Sequence, residues 1–301
     1  MHPLVLKVDV DTWLGTVRGV PALLDLFEQF DVKASFLFSL GPDHTGRAIR
    51  RVFRKGFLRK VSRTSVLSHY GIRTLLNGIL LPGPHIGRRA SHIMRRAAQA
   101  GHEVGIHCYD HVLWQDQVAS KGLEWTRTQM EKARLAFVEA LQKPPETLGA
   151  AGWQLNRHVL ALEEQMGFHY ASDVRGRAPF FPLMEGVTSR CMQLPTTLPT
   201  LDEILGRDGV NAGNAHERIL ALSRQELPHG HVYTLHAELE GMKLMATLRR
   251  LLQHWQAAGG QFHTLKALHA SLDAQRVPQK SILWGEVEGR SGLLALEGNT
   301  V

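Results

Sequence analysis

Apolar residues follow two kinds of pattern along the chain. Short apolar runs rich in branched and aromatic residues predict strands, and they are LVLKVDV from Leu4, VKASFLFSL from Val32, EVGIH from Glu103, the residues near Leu148, FHYAS from Phe168 and HVYTLH from His231. Segments with apolar residues three and four positions apart predict helices, at 21–30, 90–100, 123–141, 156–166 and 242–258. Strands that alternate with helices in this way favour a parallel α/β sheet, open or closed into a barrel.

The first predicted strand ends in two carboxylates, Asp9 and Asp11, within KVDVDTWLGT. Side chains alternate along a strand, so both acids point to one side while Val8 and Val10 point to the other. Like charges this close repel each other unless a cation lies between them or one of them is protonated. The spacing indicates a metal, a basic partner or a role in proton transfer, with a solvated strand end as the alternative.

A pair of histidines follows the strand EVGIH, in the run HCYDH. Their position is the carboxyl end of a strand, where active sites of parallel α/β folds collect. His107 and His111 are four residues apart and can meet on one helical turn, and neutral imidazole is a common ligand of Zn²⁺. Alone the pair is a weak signal among 17 histidines. Together with a carboxylate from the Asp-x-Asp run it forms a three-ligand site with room for a water.

Composition bounds the class of protein. With 44% hydrophobic residues the chain can bury a sizeable core. Two cysteines do not indicate a disulfide framework, and the N-terminus lacks the features of a secretory signal. No run reaches the roughly 18 consecutive apolar residues of a membrane-spanning helix. We therefore expect a cytoplasmic protein without a signal peptide or a transmembrane helix.

The net charge of +7 comes from one segment, because residues 44–96 hold 13 of the 35 Lys and Arg residues and none of the 28 Asp and Glu residues. Apolar residues there, including Phe53 and Phe57, recur at helical spacing, and Arg50 and Arg54 lie between them. This basic amphipathic helix could dock on the rest of the protein, bind nucleic acid or lie on an anionic membrane. Nucleic acid is the weakest interpretation, because the aromatics lie on the apolar stripe and no nucleic-acid motif accompanies them.

The order of these motifs resembles the NodB-type polysaccharide deacetylase family, from residue 4 to about residue 270. The resemblance implies a distorted (β/α) barrel over residues 1–275, with a basic helical insertion at about 42–92 and a tail of unknown structure at 276–301. It also implies that Asp11, His107 and His111 bind a divalent metal ion, namely Zn, Mn or Co. By the same resemblance Asp9 is the catalytic base.

Later motifs extend this resemblance. His236 in VYTLHAELEG matches the family's late histidine, and Asp173 in YASDVRG matches the aspartate that orients it. Leu235 and Trp153 are then expected to contact substrate. In an amide hydrolysis Asp9 would take a proton from the attacking water, and His236 would protonate the nitrogen that leaves.

The chain departs from the family pattern at two places. Cys108 replaces the usual Ser or Thr after the first histidine, which weakens an expected capping hydrogen bond and leaves a thiol near the metal. GAAGWQL, from Gly149, lacks the arginine that usually reaches the catalytic aspartate. The sequence therefore does not identify the cation that holds Asp9, and Arg175 and Arg177 are candidates.

Within the family, the chain most resembles the branch whose substrate is formamido-arabinose linked to undecaprenyl phosphate, in the aminoarabinose modification of lipid A that confers polymyxin resistance. The shared features are KVDVDTWLGT, the basic insertion after SFLFSLGPDH, the altered AAGW motif and QLPTTLPTLDE. This resemblance implies a deformylase that releases formate. It also favours a peripheral location on the cytoplasmic face of the inner membrane, with anionic lipids contacted by Phe53, Phe57, Arg50 and Arg54.

Two other functions stay open. An N-deacetylase acting on another amino sugar would share the catalytic residues but would not need the basic helix. A lipid-sugar binding protein that lost catalysis together with the motif arginine would gain no turnover from metal.

Overall fold

The main sheet of this computed structural model, which describes residues 3–48, 77 and 82–301, is parallel. Its strands are β1 (Pro3–Val10), β2 (Ser35–Ser39), β3 (Glu103–Cys108), β4 (Thr147–Leu148), β5 (Tyr170–Ala171), β8 (Met192–Gln193), β9 (His231–His236) and β10 (Gln261–His263). A second sheet contains β6 (Phe181–Met184), β7 (Val187–Thr188), β11 (Gln279–Glu286) and β12 (Leu293–Thr300).

The strand order curves the main sheet into an incompletely closed barrel. It runs β10-β1-β2-β3-β4-β5-β8, and β9 pairs with β1. Between β8 and β9 the gap is bridged where Thr197 N donates to Val232 O at 3.0 Å. The predicted fold class, an α/β barrel with parallel strands, is confirmed.

Helices cover the outside of this barrel. They are α1 (Val20–Gln29), α2 (Ile86–Arg89), α3 (Ser91–Gln99), α4 (His111–Gln117), α5 (Leu123–Leu141), α6 (Arg157–Gln165), α7 (Leu201–Ile204), α8 (Ala215–Ser223), α9 (Met245–Ala257) and α10 (Leu265–Ser271). The start of α6 shows how sequence sets a boundary, because the Asn156 side chain accepts hydrogen bonds from the backbone N–H groups of His158 and Val159.

The central strand β1 is buried on both faces, as is usual for parallel sheets. Val8 and Val10 point outward into the core beneath the helices, and both are fully buried. Each such side chain stabilises the fold by roughly 1.5–3 kcal/mol. The inward face carries Lys7 and Asp9, which are also buried. The strand therefore uses one face for stability and the other for polar groups.

The C-terminal residues form a hairpin that belongs to the fold. β11 pairs with β6, and the hairpin meets the barrel where Arg175 N donates to Ala295 O at 2.9 Å and Glu297 N donates to Arg175 O at 2.8 Å. Sequence analysis assigned no structure to this segment, since the strand that pairs with β11 lies about a hundred residues earlier.

The predicted insertion overlaps the body of the protein at its C-terminal end. Within the range 42–92, α2 packs against α3 and α5, and Ile86 N donates to Gly41 O, just after β2, at 2.9 Å. Four predicted membrane-contact residues lie outside the described part of the chain: Arg50, Phe53, Arg54 and Phe57. Among the described residues, the helices are too short or too polar to span a bilayer.

One acid is buried in the helix layer. Glu163 on α6 is fully inaccessible to solvent and lies against Asp173. Burial, together with the charge of Asp173, raises the pKa of Glu163 well above its ordinary value of 4.5. Ionising this pair in the folded protein is therefore costly.

We predict that Glu163→Gln stabilises the protein more at pH 8 than at pH 5. In the folded chain Glu163 keeps its proton above pH 4.5, whereas in the unfolded chain it ionises there. Unfolding therefore releases a proton, and stability falls as the pH rises, at up to about 1.4 kcal/mol per pH unit. The glutamine amide in Glu163→Gln does not ionise, so the variant does not lose this stability as the pH rises. Thermal unfolding at several pH values measures it, with the exposed neighbour Glu164→Gln as control; parallel curves for Glu163→Gln and wild type would contradict the assignment.

Candidate metal centre and catalytic groups

Three predicted ligands meet at the carboxyl ends of β1 and β3. His107 Nε2 lies 3.2 Å from Asp11 Oδ1, and His111 Nε2 lies 3.2 Å from Asp11 Oδ2. One donor atom from each of the three residues falls within 4.8 Å of the others. Residues about a hundred positions apart thus converge because parallel strands end at a common rim.

The two imidazoles approach each other across a turn between a strand and a helix. His107 lies near the end of β3, and His111 is the first residue of α4. Asp110 caps this helix by accepting a hydrogen bond from Leu113 N at 3.1 Å, and it also contacts His44 Nδ1 at 2.6 Å. The ring centroids are 5.3 Å apart. The expected meeting on a single helical turn was wrong, although the pair does come together.

The three residues fit a divalent cation. Two imidazoles and one carboxylate are a donor set typical of zinc and related ions. Asp11 Oδ1 is buried and has no hydrogen-bond partner in the described part of the chain. Burial by itself would raise the pKa of Asp11, but the charges of His111 and His107 bring it below its usual range. The carboxylate is therefore ionised and available as a ligand.

Asp9 is held by a buried lysine. Lys7 Nζ lies 3.1 Å from Asp9 Oδ2, and both side chains are buried. The other oxygen, Asp9 Oδ1, lies 3.8 Å from His107 Nδ1. The spacing Lys-x-Asp-x-Asp places this cation on the same strand face as both acids, and sequence analysis overlooked that signal.

The arginines proposed for this role are engaged elsewhere. Arg175 Nη1 pairs with Glu203 Oε1 at 2.6 Å. The backbone N–H of Arg177 donates to the Glu297 carboxylate, at the hairpin. Neither assignment to Asp9 was correct.

A second buried acid fixes the backbone beside Asp11. Glu238 Oε1 accepts hydrogen bonds from Asp11 N at 3.0 Å and Thr12 N at 2.8 Å. Gly15 provides the space, because a Cβ atom there would lie 2.7 Å from the same oxygen. Burial, reinforced by the charge of Asp11, raises the pKa of Glu238 well above its usual range.

His236 occupies the end of β9, in register with Asp9 on β1. Its backbone N–H donates to Glu240 Oε2 at 2.9 Å. Burial raises the pKa of Glu240 to about 7. The carboxylate nearest the His236 ring is that of Asp202, with Oδ1 3.9 Å from Nδ1.

Asp173 does not orient His236, contrary to the prediction. Its Oδ1 accepts a hydrogen bond from Ala150 N at 2.6 Å, and its Oδ2 accepts one from Gln193 Nε2 at 2.8 Å. The Asp173 carboxylate therefore connects the end of β5 to the ends of β4 and β8. The family motif is present in the sequence, but the Asp173 side chain stabilises the contact between neighbouring strands of the barrel.

Neither predicted substrate contact lies open to substrate. Leu235 points to the opposite face of β9 from His236 and is fully buried in the helix-side core. Trp153 is only 2% exposed. Its ring is enclosed by three cations, with centroid distances of 5.4, 4.9 and 4.7 Å to Lys7, Arg175 and Arg290. Trp153 is a buried platform beneath the site.

The thiol of Cys108 also points away from the metal ligands. It packs in the helix-side core with Sγ 3.3 Å from Ser39 Oγ. Burial raises the pKa of this thiol well above its usual range. The expectation of a thiol near the metal was therefore wrong, and Asp110 supplies the helix cap.

We predict that His107→Ala and Asp11→Ala abolish stoichiometric binding of a divalent metal, because each removes one of three donors. His236→Ala should retain full metal content, since His236 lies outside this donor set. Elemental analysis after dialysis measures both results. Equal metal loss in His236→Ala would contradict the assignment of ligands.

Comparison with known proteins places this geometry in a family. Residues 5–171 match the family model for polysaccharide deacetylase. A Shewanella sediminis (strain HAW-EB3) protein, named as a probable 4-deoxy-4-formamido-L-arabinose-phosphoundecaprenol deformylase ArnD, is 36% identical over 98% of this chain and 95% of its own length. A Wigglesworthia glossinidia brevipalpis protein with the same name is 30% identical over 94% of this chain and 98% of its own length.

Solved structures share the fold. A Mycobacterium smegmatis protein assigned to the polysaccharide deacetylases superposes with a TM-score of 0.63 at 18% identity, covering 95% of this chain and 94% of its own. Identity this low supports the architecture alone. The family model and the full-length relatives go further: the chain belongs to the polysaccharide deacetylase family.

Proposed function

We propose that the protein is a metal-dependent deformylase that hydrolyses 4-deoxy-4-formamido-L-arabinose-phosphoundecaprenol to formate and the 4-amino-arabinose lipid. The observation that carries this proposal is the complete set of catalytic groups at one rim in a chain that aligns over 98% of its length with a protein named for that reaction. The native metal is Zn, Mn or Co.

Asp11, His107 and His111 would hold the metal. A divalent cation held there would polarise the formyl carbonyl and would lower the pKa of water far enough for it to act as a nucleophile near neutral pH. The role of Asp9 is to accept the proton of the attacking water, and Lys7, whose Nζ lies 3.1 Å from Asp9 Oδ2, holds that side chain in place.

His236 completes the reaction by protonating the nitrogen. An amine anion is a very poor leaving group, so the C–N bond breaks only as a proton arrives. His236 is in register with Asp9 across β1 and β9, so the base and the acid flank one space at the rim. Positioned acid–base groups of this kind contribute about 10² to 10⁴ in rate.

The buried lysine argues against a protein that binds the lipid-linked sugar without hydrolysing it. That alternative rested on the loss of the motif arginine, because an unsupported Asp9 would repel Asp11. Lys7 supplies the missing positive charge from the strand itself. The catalytic aspartate therefore retains a cationic partner.

We predict that the metal-loaded protein releases formate from the formamido-arabinose lipid, and that Asp9→Asn lowers kcat by at least about 10²-fold while metal content is unchanged. The exposed carboxylate variant Asp25→Asn is the matched control and should leave kcat unaltered. Formate release is measured with a coupled assay, alongside acetate release from the acetamido analogue. Faster turnover of the acetamido analogue would favour a sugar N-deacetylase instead.

The proposed site of action is the cytoplasmic surface of the inner membrane, bound peripherally. A substrate anchored by an undecaprenyl chain stays in the bilayer, so the enzyme must reach it there. The support is the segment 44–96, with 13 basic and no acidic residues. Each Lys or Arg near an anionic surface contributes about 1 kcal/mol.

We predict that Arg50→Glu/Arg54→Glu weakens sedimentation with anionic vesicles by more than about tenfold, because two attractive charges become repulsive. The control Arg218→Glu/Arg224→Glu changes the net charge equally, at exposed positions outside the segment. Neutral vesicles should bind all variants alike. Equal weakening in both double variants would point to a general effect of net charge and contradict the role of this segment.

A further inference from the structure

The C-terminal hairpin carries a buried arginine to the rim of the site. Arg290 lies in the turn between β11 and β12, and its side chain is 12% exposed. Its Nε donates to Glu203 Oε1 at 2.7 Å, and its Cζ lies 4.7 Å from the Trp153 ring centroid. Gly289 allows the turn to come this close, because a Cβ atom there would lie 2.2 Å from Glu203 O.

The same guanidinium contacts both oxygens of Asp202. Arg290 Nη1 lies 3.3 Å from Oδ2, and Nη2 lies 3.4 Å from Oδ1. Thr200 donates its hydroxyl to Asp202 Oδ1 at 2.6 Å and also contacts Arg290 Nη2 at 3.2 Å. Asp202 is thus held from the barrel loop and from the hairpin.

These contacts leave Arg290 poorly suited to bind a substrate phosphate. Its Nε, Nη1 and Nη2 atoms all face protein oxygens of Thr200, Asp202 or Glu203, and little of the side chain reaches solvent. An anion would have to displace carboxylates that are already paired. The guanidinium therefore holds the carboxylates of Asp202 and Glu203 in place.

Asp202 in turn faces the ring of His236. The His236 Nδ1 atom is buried and has no hydrogen-bond partner within residues 3–48, 77 and 82–301. Asp202 Oδ1 lies 3.9 Å from it. A carboxylate at Nδ1 favours the tautomer with a proton on that nitrogen, stabilises the imidazolium and leaves Nε2 to exchange a proton with substrate.

We propose that Asp202 and Arg290 are positioning residues for His236, so that the C-terminal hairpin completes the catalytic site. The inference rests on the proposed function. In the step concerned, the imidazolium breaks its Nε2–H bond and forms an N–H bond to the amide nitrogen as the C–N bond breaks. The amine leaves and takes up the remaining hydroxyl proton of the formic acid, which departs as formate, and His236 is left neutral with its Nδ1 proton facing Asp202. The proton that Asp9 took from water restores the charge.

The test compares two substrates that share one sugar and one lipid, the 4-formamido compound and the 4-O-formyl ester. An alkoxide leaves far more readily than an amine anion, so the ester depends much less on proton delivery. We expect Asp202→Asn to lower kcat on the formamide by about 10²-fold and on the ester by less than about tenfold, with KM and metal content nearly unchanged. The exposed Asp208→Asn is the control and should match wild type on both substrates.

Arg290 is tested by a conservative pair of variants. Arg290→Met should reproduce the preference of Asp202→Asn for the ester, and Arg290→Lys should recover most of the formamide activity. The double variant Asp202→Asn/Arg290→Met should be no worse than Asp202→Asn, because both act through one carboxylate. Circular dichroism and thermal unfolding establish that each variant folds. Equal losses on the two substrates, or an additive double variant, would overturn the proposal.

A spectroscopic measurement separates this inference from the proposed function. In the zinc-loaded protein we expect a downfield Nδ1–H proton resonance that disappears in His236→Gln and moves upfield in Asp202→Asn. This signal does not depend on turnover. Wild type that shows the signal but hydrolyses neither substrate would refute the deformylase and leave the positioning pair supported. A signal unchanged in Asp202→Asn would refute the positioning pair.

Discussion

The structure depends on two acids placed side by side at one end of a central strand. Asp9 is buried and the Asp11 side chain is 11% exposed, and an unpaired carboxylate so shielded from water would cost several kcal/mol. Each acid is stabilised by different partners: Lys7 pairs with Asp9, while His107 and His111 lie against Asp11. In the proposed mechanism, this separation of partners allows Asp9 to act as the base and Asp11 as a metal ligand.

The polar groups beneath the rim form a continuous supporting layer. Trp153 lies at its centre, with three cations around its ring. Lys7 pairs with Asp9, while Arg175 and Arg290 both pair with Glu203. Charge is therefore balanced within the interior of the barrel and not by solvent. Such pairs contribute chiefly by fixing geometry, because removing one partner leaves the other buried and uncompensated.

The hairpin gives the site a component that the barrel alone does not contain. Its first strand, β11, pairs with β6, and its turn brings Arg290 to Asp202 on α7. The family model ends at residue 171, whereas the similarity to the Shewanella sediminis relative covers 98% of this chain and therefore extends over most of the hairpin.

The sequence by itself determined a parallel α/β sheet and a candidate three-ligand site, because strand and helix periods are local and they place the Asp-x-Asp run and the two histidines at strand ends. The barrel and the choice of Asp11 as the ligand came from the resemblance to the family. The sequence also contained the Lys7 signal, two residues before Asp9. Only the tertiary structure decided which acid faces His236, and it replaced Asp173 by Asp202. It alone showed that Leu235 and Trp153 are buried and that the hairpin of residues 279–300 joins β6 through the start of β11. The reason is physical: a periodic pattern reports which face of an element is buried, whereas contacts between distant loops depend on register and packing that no local pattern records.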